Sequence, residues 1–332
     1  MGTPEFAARI LERLLQSPLL RVAAVYTRPD RPAGRGNRLQ APPVKALALE
    51  RGLPVKQPRH FRPCAEGDAA CRELASLAPD LLLVAAYGLI LPQRVLDIPS
   101  LMPVNVHASL LPRYRGAAPI QRAVMNAETC TGVTIMRMEA DLDSGPVLLQ
   151  RAVGVGINDT AGDLIQELAD EGGSLLLDAL DRLAAGSLRP IAQEEERATL
   201  APKLAREDGR GDPALPAYSL HALARGLTPW PGLLLALRRS GQRDLAVAAM
   251  PGLYPESGPL PGEPGPRQEP GSIAGTRGEA LLMRCGDGCY AFPALRPAGG
   301  KTMSGRAFFN GYLKDFPDAL FLRPGNILKE AP

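Results

Sequence analysis

The sequence predicts an α/β protein built on a mostly parallel sheet covered on both faces, followed by a smaller domain resembling a β-barrel. Three observations carry that expectation. Over the first 190 residues, helical stretches alternate with short apolar runs such as "DLLLVAAY" (80–87) and "MPVNVHA" (102–108); strands written as continuous apolar runs are buried on both faces. From residue 233 onward the apolar segments are β-type and separated by turns rich in Gly and Pro. Between these regions, residues 186–218 follow neither period and read as a linker wrapped on the surface.

The elements follow in order. "GTPEFAARILERLLQ" puts Thr3 at a helix cap and Pro4 at the first helical position, with Phe6, Ile10, Leu11, Leu14 and Leu15 spaced for one apolar face. "RVAAVYT" (21–27) reads as a strand, "PPVKALALERG" (42–52) as a helix stopped by glycine, and "LPVKQ" as a short strand. A polar helix ending near Ala78 leads to the strands at 80–87 and 102–108. Then come helix "PIQRAVMNA", strands "GVTIMRM" and "GPVLLQRAV", and a long helix from Thr160 to about Ala185. Past the linker, a short helix at Ser219–Gly226 precedes strands "LLLALRRS", "DLAVAAM", "GSIAGT", "EALLMRC" and "CYAFPAL". "YPESGPLPGEPGPRQEPG" (254–271) is too polar to pack and reads as a mobile loop. The expected division is therefore a domain at 1–190, a linker at 191–217 and a second domain at 218–330.

Composition narrows the function classes. A chain of 332 residues supports two separate cores, and 45% hydrophobic with 22% charged residues is ordinary for a globular protein. A formal net charge of +3 excludes a polybasic protein, so any nucleic-acid contact is local. Residues 203–332 hold 16 Lys and Arg against 12 Asp and Glu, while residues 1–202 hold 22 against 23, so the last third is mildly basic. Five scattered cysteines without a CxxC pair exclude a disulfide framework and a structural zinc site, and Cys285 and Cys289 read as reduced thiols of one hairpin. No signal peptide is visible. The longest apolar run, 81–91, falls short of the ~20 residues a membrane span needs. A cytoplasmic monomer without membrane contact is the expectation.

The chemistry concentrates in "PVNVHASLLPRYRG" (103–116). Residues two apart on a strand share a face, so Asn105 and His107 form one polar edge while Val104 and Val106 turn the other way. The strand then breaks at "SLLP", and ligands of open α/β sheets sit outside the carboxyl ends of strands. A carboxamide and an imidazole there can hold a developing oxyanion, and the imidazole can move a proton. A core histidine bonded to backbone is the plain alternative. "MEADLDSGPVLL" supplies Asp141 and Asp143 just after the next strand, and the residues alone do not choose between these carboxylates. "TRPDRPAGRGNRLQ" (27–40) presents Arg28, Arg31, Arg35 and Arg38 in a loop that lacks the phosphate-loop pattern but suits a phosphate backbone. A solvated loop is the alternative there, and mixed surface charge is the alternative for "KLAREDGRGD" (203–212), which contains Lys203 and Arg206.

Taken together, "GTPEFAA", "RPDRPAGRGNRL", "AYGLILP", "NVHASLLPRYRGAAPIQ", "GVTIM", "DLDSGPVL", "APKLAREDGRGD", "PWPG" and "MSGRAFFNGY" resemble, in the same order, the methionyl-tRNA formyltransferase family. The likeness spans nearly the whole chain. It implies a Rossmann-like catalytic domain, an OB-like second domain that helps hold tRNA, and formyl transfer from 10-formyltetrahydrofolate to methionyl initiator tRNA, with no metal. It also implies Asn105, His107 and Asp143 as the catalytic trio. Ser109, Leu110, Leu111 and Pro112 match the folate-binding turn, and Tyr87, Gly88, Leu89 and Ile90 match a segment lining the pterin pocket. Arg35 occupies the place that senses the end of the acceptor stem, and Arg38, Lys203 and Arg206 join the tRNA contacts. The alternatives are a formyltransferase for another amine and a non-catalytic RNA-binding paralogue. One departure stands out: members of the family begin with a hydrophobic strand before "GTP", whereas this sequence begins at Met1-Gly2. A start codon assigned too late is the favoured expectation over a truncated paralogue, and without that strand a central slot of the sheet exposes apolar faces and unpaired edges.

Overall fold

Two apolar runs, at 81–84 and 102–107, set the frame of the first part of the chain. A computed structural model describes residues 1–33, 38–255, 258, 260 and 269–324, and the chain divides into two units. Unit 1 comprises Met1–Pro119, Cys130–Gly154 and Leu164–Pro202; unit 2 comprises Ile120–Thr129, Val155–Asp163 and Lys203–Pro332.

In chain order the first elements are α1 (Glu5–Leu14), β1 (Val25–Tyr26), β2 (Arg31–Ala33), β3 (Arg38–Gln40), α2 (Pro43–Glu50), β4 (Val55–Lys56) and α3 (Ala65–Ser76). There follow β5 (Leu81–Val84), α4 (Gln93–Leu96), β6 (Met102–His107), α5 (Pro119–Met125), β7 (Cys130–Arg137), β8 (Val147–Gly154) and α6 (Ala161–Ala184). Thr3 does not cap α1; its hydroxyl donates to the Tyr87 carbonyl at 2.7 Å, and Pro4 takes the cap position.

The main sheet runs β5-β6-β7-β8. β5 and β6 are parallel, but β6–β7 and β7–β8 are antiparallel, so the sheet is mixed where the sequence suggested a mostly parallel one. For β7 and β8 the reason is local: no crossover helix lies between them, and a parallel pair needs one. Along β8 buried and exposed residues alternate in part, as on a sheet edge with one wet face, whereas the interior of β7 is buried throughout.

β1 and β4 form a separate parallel pair, and β1 does not hydrogen-bond to β5. Met1 and Gly2 span the two: the Gly2 N–H donates to the Tyr26 carbonyl at 2.9 Å and Gly2 bridges Ala85, while the Met1 carbonyl accepts the Ala85 N–H at 2.9 Å and the Met1 amino group donates to the Leu83 carbonyl at 2.6 Å. Beyond them, Leu20, Val22, Ala24, Leu81 and Leu83 line part of a cavity of about 980 Å³. Residues 21–24 have no ladder partner among the described residues, so the strand expected over 21–27 is reduced to Val25–Tyr26. Tyr26, Phe61, Leu74, Leu82, Val84 and Val95 belong to one buried core cluster.

The later elements belong to unit 2: α7 (Ala217–Gly226), β9 (Leu233–Arg238), β10 (Leu245–Ala249), β11 (Ile273–Arg277), β12 (Ala280–Arg284), β13 (Cys289–Phe292), β14 (Ala294–Pro297), β15 (Met303–Ser304), α8 (Gly305–Phe308) and β16 (Leu320–Leu322). Among the described residues these strands make two antiparallel sheets, β15-β14-β10-β9-β16 and β11-β12-β13, and no closed barrel. Cys285 and Cys289 are buried free thiols, and burial pushes the Cys285 thiol up to about 12. Of the loop at 254–271, residues 256–257, 259 and 261–268 lie outside the described residues. No helix among the described residues is long and apolar enough to cross a membrane.

Candidate active site

The end of β6 brings the polar edge to the margin of the main sheet. His107 is the last residue of the strand and pairs across the ladder with Thr134 of β7, while Asn105 sits between Val84 of β5 and Met136 of β7. Both side chains are deeply buried, His107 at 5% exposure and Asn105 at 9%. Their surroundings differ from those of a saturated core residue. Nε2 of His107 lies 2.9 Å from the Tyr114 carbonyl, which only accepts, so Nε2 carries a proton and the ring is anchored on that side. Nδ1 then faces the carboxylate of Asp143, with Oδ2 at 3.6 Å. Among the described residues the carboxamide of Asn105 has no hydrogen-bond partner, although its residue is nine-tenths buried. A donor kept uncommitted in such a place suits a ligand oxygen.

Backbone conformation delivers the two partners of His107. Tyr114 adopts φ 62° and Asp143 φ 48°, left-handed conformations that are uncommon for residues other than glycine and that cluster at functional sites. Oδ2 of Asp143 accepts the N–H of Gly116 at 2.8 Å. Gly116 itself has φ 122°, and a Cβ there would stand 2.7 Å from the Ala201 carbonyl, so no larger residue fits this approach. Asp141, by contrast, is exposed, and its carbonyl accepts the Ser144 hydroxyl. Of the two carboxylates left open by the residues, Asp143 is the one facing His107.

The turn after His107 is pinned to the sheet by one side chain. Thr134 donates to the Ser109 carbonyl at 2.6 Å and accepts the Leu111 N–H at 3.1 Å and the Gln150 amide at 3.0 Å. Gln150 also donates to the Leu111 carbonyl at 2.7 Å, and the Ser109 hydroxyl closes the turn on the Arg113 carbonyl. Leu110 lies over Gly132, where a Cβ would meet Leu110 Cδ2 at 2.6 Å and the Arg151 carbonyl at 2.3 Å. The peptide Leu111–Pro112 is cis. In the other expected segment, the Tyr87 side chain is packed into the core with a hydroxyl that has no partner among the described residues, and burial holds that phenol above its usual range. Gly88 turns at φ 79°, Leu89 is half-buried and Ile90 is 89% exposed, so this segment presents backbone and the Ile90 side chain outward.

Two contributors escaped the sequence reading. Arg115, 7% exposed, pairs bidentately with Glu195, Nη2 to Oε1 at 2.7 Å and Nη1 to Oε2 at 2.9 Å, a bond that holds the Glu195 carboxyl below its usual range. Gln193 accepts from Arg115 and donates to the carbonyls of Asp143 and Gly145. Arg115 was visible inside a motif, but nothing local in the sequence marks Gln193. Of the residues expected to meet tRNA, Lys203 and Arg206 are exposed, while Arg35 and the side chain of Arg38 lie outside the described residues.

With this geometry in place, comparison with known proteins is decisive. Residues 1–180 match the model of the formyl transferase family, and residues 203–313 match the formyl transferase C-terminal domain. The chain belongs to the formyl transferase family. Relatives within it include a protein of Nitratidesulfovibrio vulgaris (strain DP4) named methionyl-tRNA formyltransferase, 50% identical over 313 residues that cover 94% of this chain and 92% of the relative. Another of that name, from Pseudomonas fluorescens (strain Pf-5), is 45% identical over 315 residues, 95% of this chain and 93% of its own. Solved structures share the fold. An N-formyltransferase from Helicobacter canadensis, in complex with folinic acid and dTDP-3-aminofucose, aligns with a TM-score of 0.58 at 15% identity, covering 91% of this chain and 97% of the other. HypX from Aquifex aeolicus, in complex with tetrahydrofolic acid, aligns at a TM-score of 0.56 and 20% identity over 81% of this chain, which spans 44% of that longer protein.

Proposed function

We propose that this formyl transferase moves the formyl group of 10-formyltetrahydrofolate onto the amino group of methionine carried by initiator tRNA. The observation that carries the reading is the pairing of His107 with Asp143 at the end of β6, with Asn105 on the same strand face, in a chain so similar over nearly its whole length to proteins named for that reaction. A folate donor fits the residues present, because the unpartnered carboxamide of Asn105 offers an N–H to a formyl oxygen. The turn Ser109–Pro112 and the segment Tyr87–Ile90 would hold the folate, which supplies the electrophilic formyl carbon when bound.

The chain's own groups do the remaining work. As the amine nitrogen bonds to the formyl carbon, charge moves onto the formyl oxygen. Asn105 and Nδ1–H of His107 donate to that oxygen, and preorganised donors of this kind are the largest single source of rate acceleration in acyl transfer. The Tyr114 carbonyl fixes the ring so that Nδ1, not Nε2, is the group presented. Asp143 sustains the imidazolium and helps the amine proton leave. The bond between the formyl carbon and the folate nitrogen N10 would then break as the charge returns from the oxygen, with N10 taking up a proton and tetrahydrofolate departing. The mildly basic second unit, in the proposal an OB-like module, holds the tRNA together with Lys203, Arg206 and the loop bearing Arg35 and Arg38.

The test is direct: incubation with 10-formyltetrahydrofolate and methionyl initiator tRNA, with the product read as formylmethionyl-tRNA. Formylation supports the proposal. Tight, salt-sensitive tRNA binding without product would instead mark a binding protein, and transfer only to an amino sugar or another small amine would mark a different acceptor. Arg35→Ala is expected to impair tRNA use while folate binding is retained; unchanged rates on initiator and elongator methionyl-tRNA would remove that residue from the reading.

A further inference from the structure

We infer that Gln193, held by Arg115, is a positioning residue for Asp143, so that the segment 193–201 serves the chemistry of unit 1 in addition to connecting onward. The inference rests on the proposed function and deepens it. Asp143 must hold a left-handed backbone conformation to aim its carboxylate at His107, and a non-glycine residue keeps that conformation only where its surroundings enforce it. Three hydrogen bonds do so. Gln193 Nε2 donates to the Asp143 carbonyl at 2.8 Å and to the Gly145 carbonyl at 2.7 Å, spanning the bend on its backbone side, while the Gly116 N–H holds Oδ2 from the other.

Gln193 is in turn oriented. Its Oε1 accepts Nε of Arg115 at 3.1 Å and Nη2 at 2.9 Å, which fixes the amide with its N–H groups toward the Asp143 loop. The remaining face of the guanidinium is taken by Glu195, so Arg115 has two acceptors from one short segment. The same segment laces the turn that follows His107: Arg115 N–H donates to the Thr199 carbonyl at 2.8 Å, Ala201 N–H to the Arg115 carbonyl at 2.7 Å, and Tyr114 N–H to the Thr199 hydroxyl at 2.8 Å. Residues 114–116 thus carry the carbonyl that anchors His107, the guanidinium that orients Gln193 and the N–H that binds Asp143. A brace built on the segment 193–201 sets both halves of the His107–Asp143 pair.

The experiment is a double-mutant cycle on steady-state and single-turnover formyl transfer, with Gln193→Ala, Asp143→Asn and their combination. Loss of a positioning group lets a reacting group drift, and misplacement on the order of 1 Å costs up to about 100-fold. Gln193→Ala is expected to lower kcat by about 10- to 100-fold with KM for both substrates changed less than about threefold, and to have little further effect once Asp143 is Asn, because both changes act on one group. Gln193→Glu keeps the size and the acceptor for Arg115 but lacks the N–H donors, and it is expected to lose kcat in the same way. Circular-dichroism melts on both variants separate this from failure to fold. An equal loss in the two backgrounds, a change in KM alone, or full activity of a folded Gln193→Glu would overturn the inference while leaving the proposed function standing. A parent with no transferase activity, or an Asp143→Asn variant as fast as the parent, would remove the reading on which it rests and the inference with it.

Discussion

His107 in unit 1 and His221 in unit 2 are both buried imidazoles bonded to a backbone carbonyl, and they illustrate how little burial alone says about role. His221, 0% exposed, has Nε2 at 2.8 Å from the Ile157 carbonyl and Nδ1 at 2.9 Å from the Tyr290 hydroxyl, which also accepts the Gly252 N–H. With Tyr290 donating to Nδ1, every group in that chain is satisfied by a neutral ring. Desolvation, aided by the neighbouring Arg225 guanidinium, pushes it down to about 4. Arg225 is itself buried and donates to the carbonyls of Gly156 and Asp159, so the cluster ties the segment 155–163 into unit 2. His107 instead has an acceptor on either side, a carbonyl and a carboxylate, and near it on the strand a carboxamide with no partner among the described residues. One site is chemically closed, and the other keeps an uncommitted donor.

The largest expected contrast is catalytic. His107→Ala is expected to slow formyl transfer by about 100-fold or more, the ~2.7–4 kcal/mol typical of a lost oxyanion donor, while His221→Gln assayed at pH 7.5 stays within a few-fold of the parent. Comparable losses in both variants, each folded, would erase the distinction.

The contrast reverses under acid. The ring of His221 ordinarily titrates at 6.5 and is lowered to about 4 in the folded chain, so protons bind the unfolded state first. Its contribution is complete above pH 6.5 and is lost as pH falls toward 4, about 3 kcal/mol in all. Urea unfolding of unit 2 followed between pH 7 and 4.5 is expected to show this slope in the parent and a flatter one in His221→Gln. Identical slopes would mean that the imidazole is not sealed.

A smaller effect is expected at the turn beside His107. Thr134→Val keeps the shape but removes the hydroxyl on which Ser109, Leu111 and Gln150 converge, with a stability cost of about 1–3 kcal/mol for the groups left unpaired. Folate KM should rise more than tRNA KM, as substrate titrations would reveal; a selective rise in tRNA KM would misplace the folate turn. The smallest effect belongs to the exposed cations. Lys203→Ala and Arg206→Ala are expected to lower the salt dependence of tRNA binding by about one counterion each with kcat at saturation unchanged, and an unaltered salt slope would exclude a phosphate contact.

Much of this contrast was legible in the residues. Apolar runs announced β5, β6, β7 and β8, and the two-residue period placed Asn105 and His107 on one edge at a strand end, where the structure has them. Other features depended on distant partners. Parallel pairing was over-read because continuous apolar runs report burial and not direction, and direction for β7 and β8 was set by the connection between them. The strand expected at 21–27 shortened because a strand's extent is decided by its neighbours. Tyr87, expected by resemblance beside a pocket, belongs to the buried cluster that includes Tyr26 and Phe61, which nothing in its own segment announces. Gln193 carries no local signal at all: an amide inside a polar linker acquires a role only when the fold lays it across Asp143 and Gly145. His221 drew no reading from the residues, and the structure gives it a satisfied core role between the Ile157 carbonyl and the Tyr290 hydroxyl.

The central claim, that an uncommitted carboxamide and an anchored imidazole act on one oxygen as it gains charge, is tested most directly by the single-turnover rate of Asn105→Ala on 10-formyltetrahydrofolate and methionyl initiator tRNA, measured on protein with a parental melting temperature. A rate at least about 100-fold below the parent at saturating substrates is the result expected. A rate equal to the parent's would contradict the account.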